Sequence, residues 1–145
     1  MKVDFILNDR PVTLAAEPGA NLLELLREQG LFSVKHGCDH GECGACTVLL
    51  NDNAVNACLV LVHTVAGKRI ETAEKFSDHE NLHPLQEKFI ESGAIQCGFC
   101  TPGMIMALEA LQRKNPEPTE AAVRDALAGN LCRCTGYVKP VEAAL

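Results

Sequence analysis

Eight cysteines in a chain of 145 residues fall into two groups of four. In the first group four residues separate Cys38 from Cys43, two separate Cys43 from Cys46, and Cys58 follows after eleven more. The spacing of the first three is that of loops that hold a [2Fe-2S] cluster. Such a loop wraps a flat two-iron cluster with three thiolates, and a fourth arrives from a neighbouring strand. Cluster plus four thiolates carries a formal charge of about −2, so backbone N–H groups must turn inward to stabilise it. Gly37, Gly41 and Gly44 suit that task, because glycine allows close backbone approach and tolerates positive φ. His40 and Glu42 are then expected to point outward.

Three other chemistries compete for this group. A four-thiolate zinc site needs facing pairs of cysteines, and Cys43-x2-Cys46 supplies one pair, but the four-residue gap and the glycines suit zinc less well. A redox dithiol should open a helix after a strand, whereas a β-rich run follows Cys46. Cys38-Asp39-His40 invites a Rieske reading, which fails because no Cys-x-x-His follows.

The second group is Cys97-x2-Cys100 and, after thirty-one further residues, Cys132-x-Cys134. Spacing alone leaves it open between a cluster and zinc. Cysteines one residue apart reach a common metal only from a loop, and Cys132 to Gly136 lies between two helical stretches. Cys100 precedes a helix start, where the positive end of the dipole stabilises a thiolate.

The totals narrow the classes. A hydrophobic content of 47% with 22% charged residues supports a globular core, but halves of about 70 residues are near the size that metals or partners usually supplement. The stretch Met1 to Arg10 interrupts its apolar residues with Asp4, Asn8 and Asp9, unlike an export signal, so the expected compartment is the cytoplasm. There, eight thiols are expected to be metal ligands rather than disulfides. No apolar run suggests a membrane span. A net charge of −6 and the lack of long basic runs argue against nucleic acid as a partner.

The elements that must position the cysteines can be read from periodicity. Val3, Phe5 and Leu7, the turn Asn8-Asp9-Arg10, then Val12 and Leu14 predict a β-hairpin. Asn21 with Glu24 resembles a capping box before an apolar face of Leu22, Leu23, Leu25 and Leu26, with Gly30 as the stop. Thr47 to Leu50, the turn Asn51-Asp52-Asn53, and Ala54-Val55 predict a second hairpin, and Lys68 to Thr72 a further strand. From residue 74 to 82 the pattern turns polar and then helical, with Pro84 as a first helical residue and Gly93 as a stop. Thr101-Pro102 reads as a cap plus first turn of a helix that buries Met104, Ile105, Leu108 and Leu111. Another helix starts near Thr119, buries Val123, Ala126 and Leu127, and stops at Gly129. The fold expected is α+β, a small sheet on one helix followed by a helical half.

The stretches Gly37 to Val48, Gln96 to Met104 and Gly129 to Tyr137, taken together, resemble the iron–sulfur subunits of the xanthine oxidase, or molybdenum hydroxylase, family. The likeness runs through nearly the whole chain. It implies a β-grasp plant-type ferredoxin domain over residues 1–76 and an all-α four-helix-bundle domain over 77–145, each with one [2Fe-2S] cluster. It implies that Cys97, Cys100, Cys132 and Cys134 hold the cluster nearer a molybdopterin (Mo) cofactor, with Gln96 and Cys134 close to the pterin. Cys38, Cys43, Cys46 and Cys58 would hold the cluster nearer an FAD. The partners implied are a large molybdopterin-binding subunit and a medium FAD-binding subunit, assembled as a dimer of heterotrimers. Gln96 reads equally well as a loop-bracing amide, Arg133 either offsets cluster charge or faces water, and Tyr137 reads as packing. Pro140 stands where the resemblance leads one to expect isoleucine, and a shifted start of the last helix is one expected consequence. The cysteine motifs do not separate the xanthine, aldehyde, nicotinate and carbon monoxide dehydrogenases from 4-hydroxybenzoyl-CoA reductase, although Val65 to Lys68 and Asn130 to Lys139 lean towards the last of these and the purine branch.

The function expected is electron transfer between the molybdopterin site and FAD, with no catalytic residue on this chain and no activity of the chain alone. The alternative is a stand-alone plant-type ferredoxin joined to a zinc-binding helical interaction module.

Overall fold

The structure is a computed structural model and describes residues 1–78 and 80–145; position 79, within the polar stretch noted above, lies outside the described residues. Strands β1 (Lys2–Leu7) and β2 (Arg10–Ala15) form an antiparallel hairpin in which Lys2 pairs with Ala15 and Leu7 with Arg10. Its turn is Asn8-Asp9 alone, with φ of 48° and 66°. Positive φ at both central positions is the backbone twist that a two-residue hairpin loop requires, and Asn and Asp tolerate it. The same device, Asn51-Asp52 at 47° and 67°, joins β3 (Thr47–Leu50) to β4 (Asn53–Asn56). Arg10 and Asn53, expected in the turns, instead open the second strand of each hairpin.

Between the hairpins, α1 (Leu22–Glu28) starts at Asn21, whose side-chain oxygen accepts from the Glu24 N–H at 2.9 Å. Gly30, at φ 82°, follows its end. Strand β5 (Arg69–Glu71) lies at the centre of a mixed sheet of order β2-β1-β5-β3-β4, parallel to β1 and antiparallel to β3. Val3, Phe5 and Leu7 alternate inward from β1 onto Leu22, Leu23, Leu25 and Leu26 of α1. Each such fully buried side chain contributes about 1.5–3 kcal/mol.

In the second half α2 (Pro84–Glu91) is capped at His83, whose Nδ1 accepts from the Leu85 N–H while its own N–H donates to Gln86 Oε1, with Pro84 as first helical residue and Gly93 at φ 69° beyond its end. In helix α3 (Thr101–Lys114) the N-cap position falls on Cys100, with no side-chain cap hydrogen bond, and Thr101 is the first helical residue, so the expected cap shifts by one residue. Helix α4 (Glu120–Leu127) starts at Thr119, whose hydroxyl accepts from Ala122 N–H, and ends at Ala128. The last helix, α5 (Val138–Ala143), holds Pro140 in its first turn, where the missing N–H has no intrahelical partner in any case.

Helix α3 joins the two halves. Met104, Ile105 and Leu108 face the helical core with Leu85, Phe89, Val123 and Leu127. Met106 and Ala110, on the opposite side, pack against Leu49 of β3 beside Ala73 and Phe76. A helix that is apolar on both sides is buried on both. Thr47, Val48 and Leu49 are likewise consecutive buried residues, because α3 covers the face of β3 that α1 does not. Among the described residues no helix is long and apolar enough to cross a membrane.

Candidate metal centres

All eight cysteines are free thiols. Cys38, Cys43 and Cys46 lie on the loop that leads from α1 to the start of β3, and Cys58 lies in a short 3₁₀ turn, Ala57–Leu59, directly after β4. The Ala57 N–H donates to the Cys46 carbonyl at 3.2 Å, which ties the fourth thiol to the strand beside the third. The Asn56 amide donates to the Gly41 carbonyl at 3.0 Å and fixes the tip of the loop. The loop's curvature rests on Asp39, Gly41 and Gly44, at φ of 63°, 75° and 69°. Gly37 acts differently, since a Cβ there would stand 2.6 Å from Cys43 Sγ. His40 and Glu42 are exposed, as expected.

Backbone amides converge on these sulfurs. N–H groups of His40, Cys43 and Glu42, in that order of effect, bring the Cys38 thiol down to about 6. The Cys43 and Ala45 N–H groups donate to Cys38 Sγ and Cys43 Sγ, each at 3.4 Å. Burial pushes the Cys46 thiol the other way, up to about 12, against the Cys58 N–H, which lowers it, while the Cys58 thiol adds to the rise. A thiol so placed loses its proton at neutral pH only to a metal, whose positive charge replaces the missing solvation.

The second group forms where the turn before α3 meets the loop between α4 and α5. Cys97, Cys100, Cys132 and Cys134 line one hollow of about 460 Å³ with Phe99, Leu131 and Arg133. Burial, then the neighbouring Cys132 and Cys97, raise the Cys100 thiol to about 12. Burial raises Cys132 too, but the Thr135 hydroxyl and N–H, joined by the Cys134 N–H and the Cys100 thiol, outweigh it and bring this thiol down to about 7. Cys97 and Cys134 are exposed, as are Phe99, Leu131 and Arg133 beside them. The Gln96 amide donates to the Cys134 carbonyl at 3.2 Å, the bracing geometry weighed above. Tyr137 does more than pack: its hydroxyl donates to the Asn130 carbonyl and accepts from the Cys132 N–H, both at 2.9 Å.

The structure thus brings each group of four together, and neighbouring sulfurs within a group interact in sequence, Cys38 with Cys43, Cys43 and Cys58 with Cys46. Among the described residues no three His, Cys, Asp or Glu side chains gather as a site for one metal ion. Thiols in groups of four, with backbone N–H groups donating to sulfur in each group, suit a negatively charged, multi-atom body, so the residues present fit a [2Fe-2S] cluster.

Sequence reasoning missed the seam between the two groups. The Leu131 N–H, one residue before Cys132, donates to the Cys43 carbonyl at 2.8 Å. Buried Asn130 donates to the Gly44 carbonyl and to the Thr47 hydroxyl, both at 3.1 Å. A Cβ on Gly103 of α3 would lie 2.5 Å from that same Gly44 carbonyl. The one available signal was a polar Asn130 beside Gly129 in the cysteine-rich stretch.

A mixed sheet with one thiol-bearing loop, joined through α3 to a helical half with a second thiol-bearing hollow, defines a two-centre iron–sulfur protein. Residues 5–75 match the 2Fe-2S iron-sulfur cluster binding domain, and residues 72–145 match the [2Fe-2S] binding domain. The chain is 50% identical to the xanthine dehydrogenase iron-sulfur-binding subunit of Escherichia coli O157:H7, over 99% of this chain and 91% of that one. It is 47% identical to the nicotinate dehydrogenase small FeS subunit of Eubacterium barkeri, again over 99% and 91%. Quinoline 2-oxidoreductase from Pseudomonas putida 86 matches in structure with a TM-score of 0.95 at 40% identity, over 99% of this chain and 90% of the matched one. The chain belongs to the family of [2Fe-2S] small subunits of xanthine oxidase-type molybdenum hydroxylases.

Proposed function

We propose that this chain is the non-catalytic electron-transfer subunit of a cytoplasmic molybdenum hydroxylase, relaying electrons between a molybdopterin site and FAD on partner subunits. Residues 1–76 are read as a β-grasp ferredoxin domain and 77–145 as a four-helix-bundle domain. The partners are a large molybdopterin-binding subunit and a medium FAD-binding subunit, assembled as a dimer of heterotrimers. Cys38, Cys43, Cys46 and Cys58 are assigned to one [2Fe-2S] cluster on the FAD side. Cys97, Cys100, Cys132 and Cys134 are assigned to the other on the molybdenum side, with Gln96 and Cys134 towards the pterin.

Each cluster, when bound, supplies a one-electron carrier. The chain's residues hold thiolates in place, neutralise their charge with backbone N–H groups, and bring the two loops into contact. The observation that carries the reading is the Leu131 N–H to Cys43 carbonyl bond of 2.8 Å, which joins a residue of one ligand set to the neighbour of a residue of the other. The exposed edge of the second hollow, with Phe99 and Leu131 beside Cys97 and Cys134, supports a partner on that side.

The test is anaerobic rapid mixing of the assembled complex with substrate, following cluster EPR and flavin absorbance. Cys43→Ser should abolish the ferredoxin-side signal and flavin reduction while the helical-side signal still develops. Cys100→Ser should stop electrons before either the ferredoxin-side cluster or the flavin. Flavin reduction at the parent rate in a Cys43→Ser complex that lacks the ferredoxin-side cluster would refute the order.

A further inference from the structure

Thr135 is not among the residues assigned as ligands, yet it meets a cysteine sulfur twice. Its Oγ1 lies 3.1 Å from Cys132 Sγ, and its backbone N–H donates to the same sulfur at 3.5 Å. The Tyr137 N–H donates to Thr135 Oγ1 at 3.2 Å. A threonine hydroxyl has one hydrogen and two acceptor lone pairs, so the Tyr137 contact occupies a lone pair and leaves the hydrogen free for sulfur. A metal-bound Cys132 is a thiolate without a proton, which makes the hydroxyl the only donor of that pair.

The loop offers the hydroxyl little freedom. Tyr137, at φ 69°, closes it by holding the Asn130 carbonyl and the Cys132 N–H with one hydroxyl. The first group is built differently. Its hydrogen bonds to sulfur come from backbone N–H groups, those of His40, Glu42, Cys43 and Ala45 among them, and among the described residues no side-chain hydroxyl donates to Cys38, Cys43, Cys46 or Cys58.

We propose that the Thr135 hydroxyl, by donating to Cys132 Sγ, raises the reduction potential of the [2Fe-2S] cluster in the helical half relative to one held without that donor. This rests on the assignment of Cys132 as a ligand. Reduction adds one electron to the iron, and no proton moves, since the hydroxyl keeps its hydrogen in both states. The formal charge of cluster and thiolates goes from about −2 to about −3, so a donor at sulfur stabilises the reduced form more than the oxidised one. Thr135 is a positioning residue, acting on the iron through Cys132.

The experiment is an EPR-monitored redox titration of the assembled complex with parent, Thr135→Val and Thr135→Ser chains. Thr135→Val, similar in shape without the hydroxyl, should move the helical-half midpoint downward by about tenfold in the reduction equilibrium, or about 59 mV for one electron. Thr135→Ser should stay near the parent value, and the other cluster's midpoint should not move in either variant. An unchanged helical-half midpoint in a Thr135→Val complex with both EPR signals intact would overturn the proposal. If Thr135→Val loses its cluster, ENDOR on the reduced parent after brief exposure to D2O decides. A proton coupling on the helical-half cluster that is lost at hydroxyl exchange rates supports the proposal, and its absence overturns it. Failure of the ligand assignment shows separately, as a parent complex with only one [2Fe-2S] signal.

Discussion

The Asn130 side-chain amide donates to the Gly44 carbonyl at 3.1 Å, across 86 positions of sequence, with Asn130 only 4% exposed. Gly44 follows Cys43 and Asn130 precedes Leu131, so this one amide locks the first thiol loop onto the second. A Cβ on Gly44 itself would meet the Gly129 carbonyl at 2.2 Å. The seam is therefore closed to side chains from both sides.

Gly103 gives that closure a test with an unusual sign. Replacing a helical glycine by alanine ordinarily stabilises by about 0.5–1 kcal/mol. Here the new Cβ would sit 2.5 Å from the Gly44 carbonyl and 3.2 Å from Asn130 Nδ2. Gly103→Ala is expected to destabilise by about 1–3 kcal/mol, the usual cost of overpacking. Thermal unfolding of the complex checks it, and a raised melting temperature would contradict a closed seam.

A second clasp between the halves is ionic. Arg113 of α3 reaches Asp52 at 2.6 Å, Glu71 at 2.7 Å and Glu109 at 2.8 Å, while Lys75 meets the other Glu71 oxygen at 2.6 Å. The Glu71 side chain is only 5% exposed, and its Oε2 has no hydrogen bond beyond the Arg113 ion pair. Arg113→Met should cost about 1–3 kcal/mol, less than a fully broken buried pair because Lys75 remains. Arg113→Lys should restore only part of this, since an ammonium lacks the guanidinium fork. Urea unfolding of the complex measures both, and a neutral Arg113→Met would remove the clasp from the account.

Glu74 predicts a local response to acid. Burial pushes its carboxyl up, but the Ser33 hydroxyl, the Thr72 hydroxyl and the Ser33 N–H together outweigh burial and hold it below its ordinary 4.5. The folded carboxyl is thus more acidic than the unfolded one. Its contribution is complete above the unfolded value and is lost as pH falls through the folded one. Amide exchange at Ser33, whose N–H donates to Glu74 Oε1 at 2.9 Å, should show protection that holds down to the ordinary carboxylate range and then declines. Glu74→Gln should flatten this profile. An unchanged profile in Glu74→Gln would assign the acid response elsewhere.

The sequence was most legible where structure is local. Both hairpins follow from alternation around Asn-Asp pairs, α1 from Asn21 and its leucines, and α2 from Pro84. The small displacements, Cys100 for Thr101 as the cap and Arg10 and Asn53 as strand residues, are one-residue errors at element ends. Cys38, Cys43 and Cys46 stood out because the spacing within one loop is itself local, whereas the thirty-one residues between Cys100 and Cys132 left the second group open between a cluster and zinc. What pairs the groups was not legible: Asn130, Gly103 and the Leu131 N–H act across the fold, on partners no periodicity announces. Thr135 was silent and Tyr137 was read only as packing for a related reason, since their roles depend on a hydroxyl's direction within a closed loop.

The measurement closest to the central claim is the iron, acid-labile sulfide and zinc content of the anaerobically purified complex, with EPR of the dithionite-reduced protein. Two groups of four thiols, each holding one [2Fe-2S] cluster, predict about four irons and about four sulfides per copy of this chain, and two distinct reduced-cluster signals. About two irons with one zinc and a single signal would contradict it, and would make the helical half a zinc module beside a lone ferredoxin centre.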